Sequence, residues 1–131
     1  MARDRRRQRG RGRCADGRPG SEDLRAELTA EELHAPTLLD FEIVSALRGL
    51  TLGGQLSAAR AQDALTDFDD LAIQRWPSGS ALRLRAFSLR DNLTAYDAAY
   101  VALAEALRCP LVTRDARLAR SSGHDVEIRA R

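Results

Sequence analysis

Short strand-forming runs alternate with helix-forming segments through most of this 131-residue chain, and this alternation limits its fold more than any other feature. The runs are residues 33–35, 71–73, 111–113 and 126–128, and helical patterns separate them. Strands that are joined through helices pair in parallel, and the helices cover both faces of the sheet. The sequence therefore predicts an α/β domain with three layers, α/β/α, around a central parallel sheet.

Capping residues predict where the helices begin. Thr37, Ser57 and Thr94 each precede a helical pattern, and a side-chain oxygen at this position accepts a hydrogen bond from the first turn. The helix after Thr94 is the strongest of these, because its alanine-rich sequence favours helix formation as far as Leu107. A further short helix is predicted over residues 21–28.

Charge is distributed unevenly along the chain. Residues 1–18 carry eight arginines and two aspartates, whereas the remaining residues carry 13 arginines and 17 acidic residues. A segment so poor in apolar residues cannot bury enough surface to offset the entropy of ordering it. We therefore predict a disordered, arginine-rich N-terminal arm over residues 1–20 and one folded domain over residues 21–131. The arm is either a solvated tail or a contact for nucleic acid.

The chain lacks the sequence features of exported and membrane proteins. Its two cysteines, Cys14 and Cys109, are too few for a disulfide framework. No apolar run approaches the roughly 20 residues that span a bilayer, and no signal-peptide pattern follows the basic N-terminus. We expect a cytoplasmic protein that makes no membrane contact.

Three carboxylates fall where apolar residues surround them. Glu42 adjoins the apolar stripe of its helix, Asp97 lies on the mostly buried alanine-rich helix, and Asp115 follows the third predicted strand. A buried carboxylate needs a cation beside it, and oxygen-only ligands favour Mg²⁺ or Mn²⁺ over zinc. Each also has a structural explanation: an arginine partner for Glu42, a helix charge for Asp97 and a helix cap for Asp115.

Three segments resemble the motifs of one family. Residues 33–47, LHAPTLLDFEIVSAL, resemble the second motif of PIN-domain ribonucleases, particularly the VapC toxins of toxin–antitoxin pairs. Residues 93–104, LTAYDAAYVALA, and residues 111–118, LVTRDARL, resemble the third and fourth motifs in the same order. The resemblance covers residues 21–131 and implies a PIN-like domain there, Mg²⁺-dependent cleavage of RNA, inhibition by a VapB-type antitoxin, and a homodimer.

The resemblance also implies a site. Carried over by motif, Glu42, Asp97 and Asp115 are catalytic carboxylates and metal ligands for Mg²⁺ or Mn²⁺, with Asp97 a direct ligand. Thr113 then lines the same site. The alternative interpretation is a non-enzymatic, degenerate PIN-like module that binds an antitoxin or another partner through these residues.

The N-terminus departs from the family pattern. Family members begin with an apolar strand that ends in a metal-binding aspartate, and no such apolar run precedes Asp4 or Asp16 here. We therefore predict that the first strand is missing and that folding and activity are impaired by its loss. Read one base later, the arginine codons could encode a valine-rich strand, so a shifted reading frame is one explanation.

Overall fold

The computed structural model of the chain describes residues 13–15 and 32–130. In this part of the chain five strands form one sheet in the order β3-β2-β1-β4-β5, and every neighbouring pair is parallel. The strands are β1 (Arg13–Ala15), β2 (Leu33–Pro36), β3 (Ile73–Trp76), β4 (Leu111–Thr113) and β5 (Ile128–Ala130). The helices are α1 (Leu39–Leu52), α2 (Ala58–Asp69), α3 (Ser80–Ser88), α4 (Ala95–Leu107) and α5 (Ala116–Ala119). The predicted fold class is confirmed.

The central strand β1 corrects the expectation that the first strand is missing. Cys14 pairs with His34 of β2 on one side and with Leu111 of β4 on the other. Ladder bonds join backbone groups, so the sequence Arg-Cys-Ala can complete a sheet although it has no apolar pattern. The predicted arm is thus wrong for these three residues, and the reason for invoking a shifted reading frame is removed. Residues 1–12, 16–20 and the predicted helix over 21–28 lie outside the described residues.

Two of the three predicted helix caps are confirmed. The Ser57 hydroxyl accepts the backbone N–H of Arg60 at 3.2 Å, and the Thr94 hydroxyl accepts that of Asp97 at the same distance. The prediction that Thr37 caps α1 is wrong, because among the described residues no side chain caps this helix. The backbone N–H of Thr37 instead donates to the carbonyl of Trp76 at 3.1 Å, so Thr37 extends the pairing of β2 with β3.

The strand β5 begins later than predicted, at Ile128 instead of Val126. The N–H of Val126 donates to His124 Nδ1 at 3.2 Å, which holds residues 124–126 in a local turn. Pairing with β4 starts next to this turn, where the N–H of Leu111 donates to the carbonyl of Glu127 at 2.9 Å.

The hydrophobic core is built on α4, which contacts β1, β2 and β4. Its small side chains allow the helix to approach the sheet closely. The buried residues of α4 are Ala98, Tyr100, Val101, Ala102, Leu103 and Ala104. All of these except Ala102 belong to one core cluster with Leu111, Leu118, Leu39 and Leu89. In the part of the chain that the structure describes, no helix has the length and apolar character to cross a membrane.

An ion pair joins α3 to α4. Arg85 donates two hydrogen bonds to the Glu105 carboxylate, at 2.8 and 2.9 Å, and a third to the carbonyl of Gly123 at 3.2 Å. The hydrogen bond from Arg85 lowers the pKa of Glu105 below its ordinary value of 4.5, and the positive charge of Arg85 lowers it further. The folded state therefore favours the ionised form of Glu105.

We expect Glu105→Gln to lower the free energy of unfolding at neutral pH by up to about 1 kcal/mol, because both side chains are over one-third exposed and solvent screens the pair. A lowered pKa in the folded state stabilises the protein above the ordinary pKa, and this contribution is lost as pH falls through the folded pKa. Urea unfolding should therefore show a constant difference from wild type above pH 4.5 that shrinks at lower pH.

The matched control is Glu127→Gln, which removes an exposed carboxylate whose Oε1 atom accepts a hydrogen bond from Arg129 at 2.7 Å. Two results would show that the Arg85–Glu105 pair does not link α3 to α4. One is that Glu105→Gln lowers the free energy of unfolding no more than Glu127→Gln does. The other is that the difference between Glu105→Gln and wild type does not depend on pH.

Candidate acidic site at the carboxyl edge of the sheet

The topology brings all four predicted site residues to one edge of the sheet. Glu42 is in the first turn of α1, which follows β2, and Asp115 follows Thr113 at the end of β4. Asp97 is in the first turn of α4. This helix ends just before β4 begins, so its first turn lies toward the opposite, carboxyl ends of the strands. Open α/β sheets place their sites at this edge.

Glu42 is half-buried, and its Oε1 atom is fully buried. The neighbouring Phe41 is 79% exposed, so Glu42 lies where the surface of α1 passes into the interior. The other acid of this turn has a structural role: Asp40 Oδ1 accepts a hydrogen bond from Arg75 Nε of β3 at 3.0 Å. This ion pair holds the first turn of α1 against the sheet and thereby positions Glu42.

Asp97 combines a fixed backbone with a half-buried side chain. The Thr94 hydroxyl fixes its N–H, and the residues one turn further along, Tyr100 and Val101, are 1% and 0% exposed. The prediction that Asp97 lies on a largely buried helix is confirmed.

Thr113 and Asp115 form one tightly bonded turn after β4. The buried Thr113 hydroxyl accepts the backbone N–H of Asp115 at 3.0 Å. Asp115 Oδ1 in turn accepts the backbone N–H of Arg117 at 2.9 Å, so the prediction that Asp115 caps the following helix is confirmed. The cap does not exhaust the carboxylate, which has two oxygens with about four lone-pair positions.

The three predicted carboxylates are not a complete metal site by themselves. Among residues 13–15 and 32–130, no group of three histidine, cysteine, aspartate or glutamate residues is placed to hold one metal ion. The nature of the donors nevertheless matches the prediction, since Glu42, Asp97, Thr113 and Asp115 offer only oxygen atoms.

A family model described as the PIN domain matches residues 13–123, which is most of the chain. The chain belongs to the PIN-domain family. VapC ribonuclease Mb0985 of Mycobacterium bovis is 50% identical to this PIN domain over 91 residues, 70% of this chain and 71% of that protein. Ribonuclease VapC12 of Mycobacterium tuberculosis is 38% identical over 110 residues, 84% of each protein. The family predicted from the three motifs is confirmed.

Two solved structures share the fold of this PIN domain. PAE2754 from Pyrobaculum aerophilum superposes with a TM-score of 0.67 at 21% identity, over 92% of this chain and 83% of that one. A toxin–antitoxin complex from Klebsiella pneumoniae gives a TM-score of 0.52 at 20% identity, over 76% and 78%. These similarities support the three-layer architecture.

The sequence pattern does not select Asp16, because no apolar run precedes it. Asp16 nevertheless follows directly on Ala15, the last residue of β1. Ala15 pairs with Val112, the residue before Thr113. Asp16 lies outside the described residues. The PIN-domain match also begins at Arg13, the first residue of β1.

Proposed function

We propose that this PIN domain is a metal-dependent endoribonuclease toxin of a VapBC-type toxin–antitoxin pair. The observation that carries the proposal is the position of Glu42, Asp97 and the Thr113–Asp115 turn at one edge of the sheet. The names of the relatives, which are VapC ribonucleases, support the same chemistry. An RNA substrate makes the cytoplasm the expected compartment.

We propose Asp16 as a fourth acid of the site, because it follows Ala15, the last residue of β1, directly in the sequence. Four carboxylates without histidine or cysteine suit a hard cation, and we propose Mg²⁺, with Mn²⁺ as the substitute. The impairment expected from a missing strand is not part of this proposal, because β1 is present.

The residues around the site hold the segments that carry its carboxylates in fixed positions. When bound, a divalent cation would make a coordinated water more acidic and neutralise charge on the phosphodiester oxygens. Thr94 and Thr113 fix the backbone at Asp97 and Asp115, so little reorganisation of these two carboxylates is needed at the moment of reaction. The Asp40–Arg75 pair does the same for the turn that carries Glu42.

We expect the purified chain to cut single-stranded RNA in Mg²⁺, to stop when EDTA is added, and to recover when Mg²⁺ or Mn²⁺ is returned in excess. The measurement is the fraction of labelled RNA cleaved, resolved on a denaturing gel. Cleavage that persists in EDTA, or a folded protein that cuts no RNA at any Mg²⁺ concentration, would contradict the proposal.

Two exposed apolar faces suit the proposed protein partners. Phe41, Val44 and Leu52 lie on one face of α1 beside Glu42, and an antitoxin segment bound there would block the site. Leu84 and Phe87, 69% and 66% exposed, form a separate apolar face on α3, and a homodimer is part of the proposal. Light scattering of the chain alone and with an antitoxin measures both associations, and a monomer that binds no antitoxin contradicts both.

The second candidate function is a binding module without nuclease activity. It is favoured by the helix-capping role of Asp115 and by the lack of a three-acid group among the described residues. Such a module binds its partner but takes up no Mg²⁺ or Mn²⁺ at millimolar concentration. Calorimetric titration with either ion separates the two functions.

A further inference from the structure

The Arg117 guanidinium lies at the rim of the candidate site. Its Nε atom is 3.6 Å from Asp115 Oδ1, and its side chain is 86% exposed, against 13% for that of Asp115. At 3.6 Å the two groups attract each other without forming a hydrogen bond. A positive charge thus faces solvent directly beside a proposed metal ligand.

The backbone around Arg117 is held firmly. Its N–H donates to Asp115 Oδ1, and the N–H of Asp115 donates to Thr113, the last residue of β4. The next residue, Leu118, is 2% exposed and packs into the core, which anchors the short helix α5. The position of Arg117 relative to Asp115 is therefore set by the fold, while its side chain extends outward.

The positive charge of Arg117 offsets the repulsion between an acidic site and the phosphates of its RNA substrate. Carboxylates that attract a divalent cation also repel the phosphates of RNA at a distance. A guanidinium at the rim offsets this repulsion, and its planar set of donors matches a phosphate group. Arg114 and Arg120 are exposed on the same segment, so positive charge continues beyond Arg117.

We propose that Arg117 is a substrate-positioning residue that binds an RNA phosphate next to the acidic site. The inference rests on the proposed nuclease function and adds to it the residue that holds the substrate backbone. Arg117 contributes to RNA binding and not to the reacting bond. Its loss raises KM and leaves kcat nearly unchanged.

The test compares Arg117→Gln with Arg108→Gln in the full chain. Arg108 is also exposed, but it lies just before β4, at the amino end of that strand. The two arginines therefore lie at opposite ends of β4. Both variants remove one positive charge, so they differ only in its position.

We expect Arg117→Gln to raise KM for single-stranded RNA about 10-fold, as for the loss of a hydrogen bond to a charged group, with kcat within about twofold of wild type. The slope of log(kcat/KM) against log[KCl] should become shallower by about 0.7, the value for one phosphate contact on a single strand. Arg117→Lys should restore the slope and part of KM, because lysine keeps the charge but not the planar donors. Arg108→Gln should match wild type in both quantities.

The inference is overturned if wild type cuts RNA and Arg117→Gln keeps the wild-type KM and salt slope. If wild type cuts no RNA, the nuclease proposal fails, and anisotropy of labelled single-stranded RNA still tests Arg117 separately. Equal RNA affinities and salt slopes for Arg117→Gln and Arg108→Gln in that assay would overturn it as well. A weaker affinity and shallower slope confined to Arg117→Gln would support it.

Discussion

Asp97→Asn is expected to reduce RNA cleavage by at least about 100-fold while the protein remains folded. The substitution keeps the size of the side chain and the backbone bond to Thr94 but removes the negative charge that a cation needs. Loss of a residue that only hydrogen-bonds to a metal ligand lowers metal affinity or activity by about 10-fold to 100-fold. Loss of a direct ligand should therefore lower activity further. The measurement is the rate of RNA cleavage in saturating Mg²⁺, beside the thermal unfolding temperature.

The control for this prediction is Asp69→Asn. Asp69 is an exposed acid at the end of α2, which leads into the amino end of β3 and thus lies away from the proposed site. It removes the same charge and should leave the cleavage rate unchanged. Equal rates for wild type and Asp97→Asn would show that Asp97 binds no catalytic ion.

Cys14→Pro is expected to lower the free energy of unfolding by about 3 kcal/mol and to abolish RNA cleavage. Cys14 is in the middle of β1, which pairs with β2 and β4 at the centre of the sheet. Proline removes the backbone N–H from one ladder and leaves its acceptor without a partner, and its ring is poorly tolerated in a central strand. Thermal unfolding should shift down by about 10 °C for a domain of this size.

Cys14→Ala separates the role of the backbone from that of the thiol. It keeps the N–H, and we expect it to lie much closer to wild type than Cys14→Pro does. If proline at position 14 changes neither the unfolding temperature nor the activity, then β1 is not the central strand in solution. The prediction that the first strand is missing would then stand.

Much of the fold follows from the sequence because side chains specify it locally. The Thr94 cap and the alanine-rich segment after it predict α4, and the apolar run 111–113 coincides with β4. These elements form where local propensity and burial agree. The Ser57 cap of α2 was predictable for the same reason.

The elements that the sequence did not predict are set by contacts between distant segments. Thr37 has the composition of a helix cap, but its N–H pairs with Trp76 of the neighbouring strand. The strand at Arg13–Ala15 is defined by pairing with Leu33 and Leu111 and by no pattern of its own. Hydrophobic periodicity cannot reveal a strand of three residues that begins with arginine.

The candidate site likewise contains residues that the sequence predicts and residues that only the fold reveals. Motif resemblance selected Glu42, Asp97, Thr113 and Asp115, and the topology places all of them at the carboxyl edge. It did not select Arg117, whose relation to Asp115 depends on the geometry of the turn after β4. The sequence pattern does not select Asp16, because the strand that precedes it has no apolar pattern.

The central claim is that the acids of this PIN domain bind a divalent cation, with Asp97 as a direct ligand. The direct measurement is titration of Mn²⁺ into the chain, following the free ion by electron paramagnetic resonance. We predict saturable uptake of Mn²⁺ by wild type and by Asp69→Asn, displacement by excess Mg²⁺, and weaker uptake by Asp16→Asn and Asp97→Asn. Folded wild-type protein that binds no Mn²⁺ at millimolar concentration, or binding that neither Asp16→Asn nor Asp97→Asn weakens, would contradict the account.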